Sequence, residues 1–221
     1  MMNFEHKTVS IADQVFEQLE RKILIGEYQR GELLTEVKLS EEFGVSRTPI
    51  REALRRLEQE HIIDITARGA TVLGILPQDI DDIYEIRSRI EGLASRWMAE
   101  RVSEEDLAEF RRVIDLQEFY TAKGDADQIK DMDSRFHRMI YEKCGSVSLA
   151  DTLLPLHKRV MKFRRVSVSD HTRAEESLAE HRGIFEAIAA RDGVLAEELT
   201  VKHIACARAS IMGRVLDEKG G

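Results

Sequence analysis

Apolar residues recur along this chain with a helical period over most of its length, interrupted once by two short β-branched runs. Between residues 8 and 25, Ile11, Val15, Leu19 and Ile23 return every fourth position, which predicts an amphipathic helix. Gly26 follows the last of them, where a helix C-cap sits. The segment GEYQRGELL then turns through a second glycine, Gly31. A short helix over 36–43 packs Val37, Leu39 and Phe43, with Thr35 and Ser40 as capping residues. After Phe43-Gly44-Val45 a second helix opens, with Ser46 as its N-cap and Pro49 in its first turn, where a missing N–H costs little. That helix is divided. Ile50, Ala53, Leu54 and Leu57 share one side, while Arg47, Arg51 and Arg55 lie four apart and drift only about 80° around the other. The runs IIDIT and TVLGI follow, separated by Ala67-Arg68-Gly69-Ala70, and read as a hairpin. Two helices, a tight turn and a hairpin compose a winged helix-turn-helix over 1–76, with the helix-turn-helix at about 36–55 and the wing at about 62–75.

From Pro77 onward the pattern is helical throughout. Asp79 caps a helix from about 80 to 101, and Ser103 opens the next, with acids near the positive end of its dipole. Lys123-Gly124-Asp125 sets off a third helix over 126–143, and Gly145-Ser146 a fourth over 148–165. The polar stretch from Ser167 to Thr172 leads to a helix reaching about Ala190. Asp192-Gly193 turns into a last one that ends before Gly220. Six helices with short connections predict an antiparallel bundle over 77–221. The fold class is therefore mainly α: a small α+β winged helix-turn-helix, then an all-α antiparallel bundle.

Composition changes this picture only locally. The 221 residues are 43% hydrophobic and 33% charged, enough for two domains and too apolar for a disordered chain. A net charge of −8 argues against a nucleic-acid partner for the chain as a whole. Residues 47–56 nevertheless carry four arginines against one glutamate, and a binding face needs only such a local patch. Cys144 and Cys206 form no CxxC pair and no disulfide framework. With no apolar run near the ~20 residues of a membrane span, and no apolar core in MMNFEHKTVS, a cytoplasmic location without a membrane partner is expected.

Several polar residues of the bundle fall on faces that should be buried. Asp133 and His137 are one turn apart, flanked by Met132, Phe136 and Ile140. His181 shares a stripe with Ile184, Phe185 and Ile188, and His203 a face with Leu199 and Cys206. A buried polar group without a partner costs about 1–3 kcal/mol, so each needs one. Singly, a core histidine is more often hydrogen-bonded than a ligand. Together, Asp133, His137, His181 and His203 make a three-imidazole, one-carboxylate set suited to a divalent ion such as zinc, nickel or manganese. Arg87 lies in the stripe Ile83, Tyr84, Ile90, Ala94, Trp97, and two readings stay open for it. It forms a structural ion pair with Glu91, or it meets an acidic effector together with Tyr84. His157 and His171 have no assigned role.

The run LERKILIGEYQRGELLTEVKLSEEFGVSRTPIREALRRLEQE, and within it VSRTPIREALRRLE, resembles the DNA-binding domain of the GntR superfamily of bacterial transcription regulators. The following RGATVLGILPQDIDDIYEIRSRIE resembles the junction to the helical FCD domain of its FadR-like branch. One departure is His61, where the family usually has glycine. The resemblance implies a repressor, not an enzyme, that binds double-stranded operator DNA as a homodimer. Carried onto matching positions, it places Arg47 and Arg51 against bases or phosphates, Ser46 and Thr48 against phosphate at the helix N-terminus, and Arg68 and Gly69 at the wing tip. It also implies a divalent metal on Asp133, His137, His181 and His203, and a small carboxylate effector on Tyr84 and Arg87. The alternative is a metal-dependent enzyme acting on a small organic acid. The absence of a His-Glu-x-x-His motif weighs against it.

Overall fold

A computed structural model describes residues 10–167 and 172–217. The chain divides into two units, Met1–Leu76 and Pro77–Gly221.

The first unit contains α1 (Ile11–Leu24), β1 (Leu33–Leu34), α2 (Glu36–Phe43), α3 (Arg47–Gln59), β2 (Ile63–Thr66) and β3 (Gly69–Val72). Ser10 and Asp13 close a capping box at the start of α1. The helix buries Ala12, Val15, Phe16, Leu19 and Ile23, whereas Ile11 is 57% exposed. A spacing of four drifts about 40° per step, which leaves Ile11 at the edge of the stripe that Ala12, Val15, Phe16, Leu19 and Ile23 bury. Thr35 caps α2 by accepting from the Lys38 N–H, and Gly44 ends it at φ 65°. Ser40 lies inside α2 with its hydroxyl buried and unpartnered, so it caps nothing. Ser46 holds the N-cap position of α3, but its side chain makes no capping hydrogen bond. Ile50, Ala53, Leu54 and Leu57 of α3 pack with Leu19, Leu34, Leu39, Ile63 and Val72 into one core. Beyond α3, His61 takes φ 55°, a left-handed conformation that disfavours a side chain by about 1–2 kcal/mol.

The hairpin register, Ile63↔Val72 to Thr66↔Gly69, shortens the expected four-residue turn to Ala67-Arg68. Gly69 and Ala70 are already strand, and β3 ends at Val72, earlier than TVLGI suggests. The unexpected β1 pairs Leu33 with Thr71 and Leu34 with Ala70, giving a three-stranded sheet of order β1-β3-β2. A Cβ on Gly69, which has φ 137°, would lie 2.7 Å from the Leu34 carbonyl oxygen. Glycine there has a structural reason: the close approach of β1.

The second unit contains α4 (Pro77–Arg101), α5 (Glu104–Lys123), α6 (Ala126–Lys143), α7 (Val147–Ser167), α8 (Thr172–Ala189) and α9 (Gly193–Asp217). α4 begins at Pro77 itself, so Asp79 sits inside the first turn and not ahead of it. Ser103 and Asp125 cap α5 and α6. Ala94, Met98, Phe110, Phe136, Ile140, Ile184 and Ile188 lie in a common core. α4 and α9 approach closely at Gly92, where a Cβ would lie 2.9 Å from Val201 Cγ2 and 3.2 Å from the Glu197 carbonyl oxygen. Next to that crossing, Thr200 Oγ1 donates to Ser95 Oγ at 2.7 Å between two buried hydroxyls. These contacts hold α9 in register one turn before His203. Cys144 and Cys206 are both free thiols. His171 lies outside the described residues.

Candidate functional site

On the first unit, Ser46, Arg47, Thr48, Arg51 and Arg55 are exposed along α3, opposite its buried aliphatic face. Arg51 is held by a bidentate pair, Nε to Glu36 Oε1 at 2.8 Å and Nη2 to Oε2 at 2.7 Å. The Arg51 hydrogen bonds hold the Glu36 carboxyl below its usual range, and the charges of Arg47 and Arg55 act the same way. Arg56 belongs to a different contact. It bonds Asp13 at 2.6 Å and covers the Phe16 ring at 4.0 Å, tying α3 to α1. Arg68 is exposed in the hairpin turn, and its backbone N–H donates to Thr66 Oγ1.

In the second unit, α6, α8 and α9 bring three buried imidazoles together. The Nε2 atoms of His181 and His203 are 3.3 Å apart, as are those of His203 and His137, and Asp133 Oδ1 lies 4.0 Å from His181 Nε2. Each opposite ring nitrogen meets an acceptor. His137 Nδ1 donates to Glu91 Oε1 at 2.6 Å, His181 Nδ1 to Gln117 Oε1 at 3.0 Å, and His203 Nδ1 to Glu180 Oε2 at 2.7 Å. Those partners select the Nδ1–H tautomer, so three Nε2 lone pairs converge on one point. Stacking on the Phe136 ring at 3.8 Å further fixes His181. Burial pushes the pKa of His181 well below its usual range. Burial also lowers His203, against the opposing bond from Glu180. For Glu180, burial acts upward but is outweighed by hydrogen bonds from His203 and Arg173, which hold its carboxyl at about 2.

Arg87, also buried, donates through Nε to Glu91 Oε2 at 2.8 Å and through Nη2 to Oε1 at 3.3 Å, with the Tyr141 hydroxyl 3.4 Å away. The ion pair with Glu91 is therefore formed. Glu91 bridges it to the cluster, since Oε1 accepts from both Arg87 and His137. Burial acts to raise the Glu91 pKa, yet the charge of Arg87 and the hydrogen bonds from Arg87 and His137 hold it well below the usual range. Tyr84, Arg87, Asp133, His157, Arg173 and Ser177 line one tight cavity with space for about one water at its centre. His157, on α7, is buried with neither ring nitrogen hydrogen-bonded. Burial, with the nearby Arg87 charge, pushes its pKa well below the usual range.

The pattern reading left out Gln117, Glu180 and Tyr141. Gln117 was visible as the polar position of the stripe Phe110, Val113, Ile114, Gln117, all buried. Glu180 carried no such signal, because it borders solvent and is identified only by its bond to His203.

The donor set fits a divalent ion. Three neutral lone pairs facing one another repel unless a cation stands between them. Two ligands about 2.05 Å from a tetrahedral ion lie about 3.3 Å apart, the spacing seen twice here. Among the described residues, His137, His181 and His203 are the group whose ligand atoms all lie within 4.8 Å of one another. No described helix is long and apolar enough to cross a membrane.

The FCD domain model matches residues 82–205, and the model for bacterial regulatory proteins of the gntR family matches 11–73. An uncharacterized HTH-type transcriptional regulator, YdhC of Bacillus subtilis (strain 168), is 30% identical over 86% of each chain. The galactonate operon transcriptional repressor of Escherichia coli (strain K12) is 28% identical over 90% of this chain and 95% of its own. The solved structure of E. coli McbR/YncC shares the fold with a TM-score of 0.68, at 24% identity over 95% of this chain and 100% of that one. An arginine-faced helix followed by a hairpin, a histidine-centred helical domain, and family matches spanning both units lead to one conclusion: this chain is a transcription regulator belonging to the gntR family, with an FCD domain as its second unit.

Proposed function

We propose that this protein is an effector-responsive repressor that binds a pseudo-palindromic operator as a homodimer. Arg47 and Arg51 would address guanine edges or phosphates, Ser46 and Thr48 a phosphate at the α3 N-terminus, and Arg68 and Gly69 the groove beside the wing. The exposure of Ser46, Arg47, Thr48 and Arg51 along α3 and of Arg68 in the hairpin turn supports this reading. In the second unit, Asp133, His137, His181 and His203 would hold a divalent ion, whose contribution when bound is a positive charge for an anionic ligand. The observation that carries this is the convergence of three tautomer-locked Nε2 lone pairs. A small carboxylate effector beside Tyr84 and Arg87 is the reading supported by their place on the cavity next to the imidazoles and by a relative named for the galactonate operon. Effector binding would alter operator affinity only through different affinities for the DNA-competent and DNA-released states.

The test is a gel-shift series on DNA upstream of the protein's own operon. Wild type should retard it sequence-selectively, and Arg47→Ala/Arg51→Ala should weaken retardation at least 10-fold with a shallower salt dependence. A double variant that binds as wild type does would sink the DNA assignment. One equivalent of divalent metal in wild type, lost in His203→Ala, is expected for the ion site.

A further inference from the structure

His157 is the polar group that the metal and DNA assignments leave unused. Both of its nitrogens are buried without a partner among the described residues, and such groups are costly. Its ring lines the same tight cavity as His137, His203 and Asp133, and the His157 and His137 ring centroids are 5.1 Å apart. Yet His157 is not one of the imidazoles whose ligand atoms all lie within 4.8 Å of one another. It stands one layer out from the point on which the three Nε2 lone pairs converge. The space left in that cavity is about one water. A water on a divalent ion turns its hydrogens away from the ion, so it needs an acceptor on its far side. Arg87 and Arg173, on the same cavity, can only donate, and they are already paired with Glu91 and Glu180. A neutral His157 brings an acceptor nitrogen that no other group uses. An ion held by three imidazoles and one carboxylate keeps a place for such a water whenever its coordination exceeds four.

We infer that His157 is a positioning residue of the ion site: it holds a water in the ion's open coordination position and so sets the coordination without being a ligand. This rests on the divalent-ion reading above and not on the carboxylate-effector reading. The probe is cobalt(II) alone, titrated into full-length chelator-treated protein, because its visible absorption reports coordination number and ligand field. Wild type should take up one equivalent, with the weak bands of an ion that has more than four ligands. His157→Leu should still take up that equivalent, but about 10-fold more weakly, as expected for loss of an outer partner of a metal site, and its bands should move. His157→Gln, which keeps a donor and an acceptor, should retain most of the wild-type spectrum. His157→Phe, which keeps the ring's shape, gives the same reading as His157→Leu where the latter fails to fold. If the apolar variants bind cobalt with unmoved bands, His157 only supports the fold, and this inference alone falls. It falls equally if wild type shows the intense bands of a four-coordinate ion, which has no open position. If cobalt is lost from a folded apolar variant, His157 is a ligand and the inference falls. If wild type takes up no cobalt, the divalent-ion reading fails and takes this one with it.

Discussion

Two arginine–glutamate pairs of nearly the same geometry sit in opposite surroundings. Arg51 and Glu36 meet through two bonds of 2.8 and 2.7 Å on the first unit, with side chains 54% and 33% exposed. Arg87 and Glu91 meet through bonds of 2.8 and 3.3 Å in the second unit, at 3% and 0%. In water, either member of the first pair can leave, because solvent or a phosphate replaces its partner at little cost. In the core neither can leave, because the remaining charge would be stranded in a medium of low polarity. The surface pair is free to exchange, as the proposed DNA contact of Arg51 requires. The buried pair suits a fixture, and Glu91 uses it to orient His137 as well.

The comparison can be broken at three points. The largest effect is expected from Glu91→Ala, which strands the Arg87 guanidinium and removes the acceptor of His137. Loss of about 3–5 kcal/mol in urea unfolding is expected, and a loss below about 1 kcal/mol would show that the buried pair is not a fixture. Next is pH. His181 and His203 are held neutral by burial in the folded protein, whereas the unfolded chain binds their protons near pH 6.5. Stability of chelator-treated protein is therefore full above pH 6.5. It should fall below that by up to about 1.4 kcal/mol per pH unit for each imidazole. Unfolding midpoints that stay level between pH 7 and 5 would mean the fold accepts those protons. The smallest effect on folding is expected from Arg51→Ala. The urea midpoint should not move resolvably even where operator binding weakens, and a clear drop would make the surface pair structural after all.

Much of this was legible from local pattern. Helix α2 matches its expected span, because Thr35 and Gly44 bracket it with a cap and a left-handed stop. The buried face of α3 is the predicted set of four aliphatics, since a helix face follows from spacing alone. Asp133 and His137 were visible together because one turn separates them on α6. β1 was not legible. It has only two residues, and its partners Ala70 and Thr71 lie far along the chain. Ile11 was misread because spacing alone does not say where a drifting stripe leaves the core.

The sequence by itself determined the order of helices, the division into a winged unit and a helical one, and the inward facing of Arg87, Asp133, His137, His181 and His203. These follow from period and capping, which act over a few residues. Tertiary structure decided that Gly69 yields to the Leu34 carbonyl, and that Arg87 is taken by Glu91. It also decided that Gln117 and Glu180 set the tautomers of His181 and His203. It left His157 buried with two unmet nitrogens. Each of these depends on where separate elements meet, and a helical period records which way a side chain faces but not what it meets there.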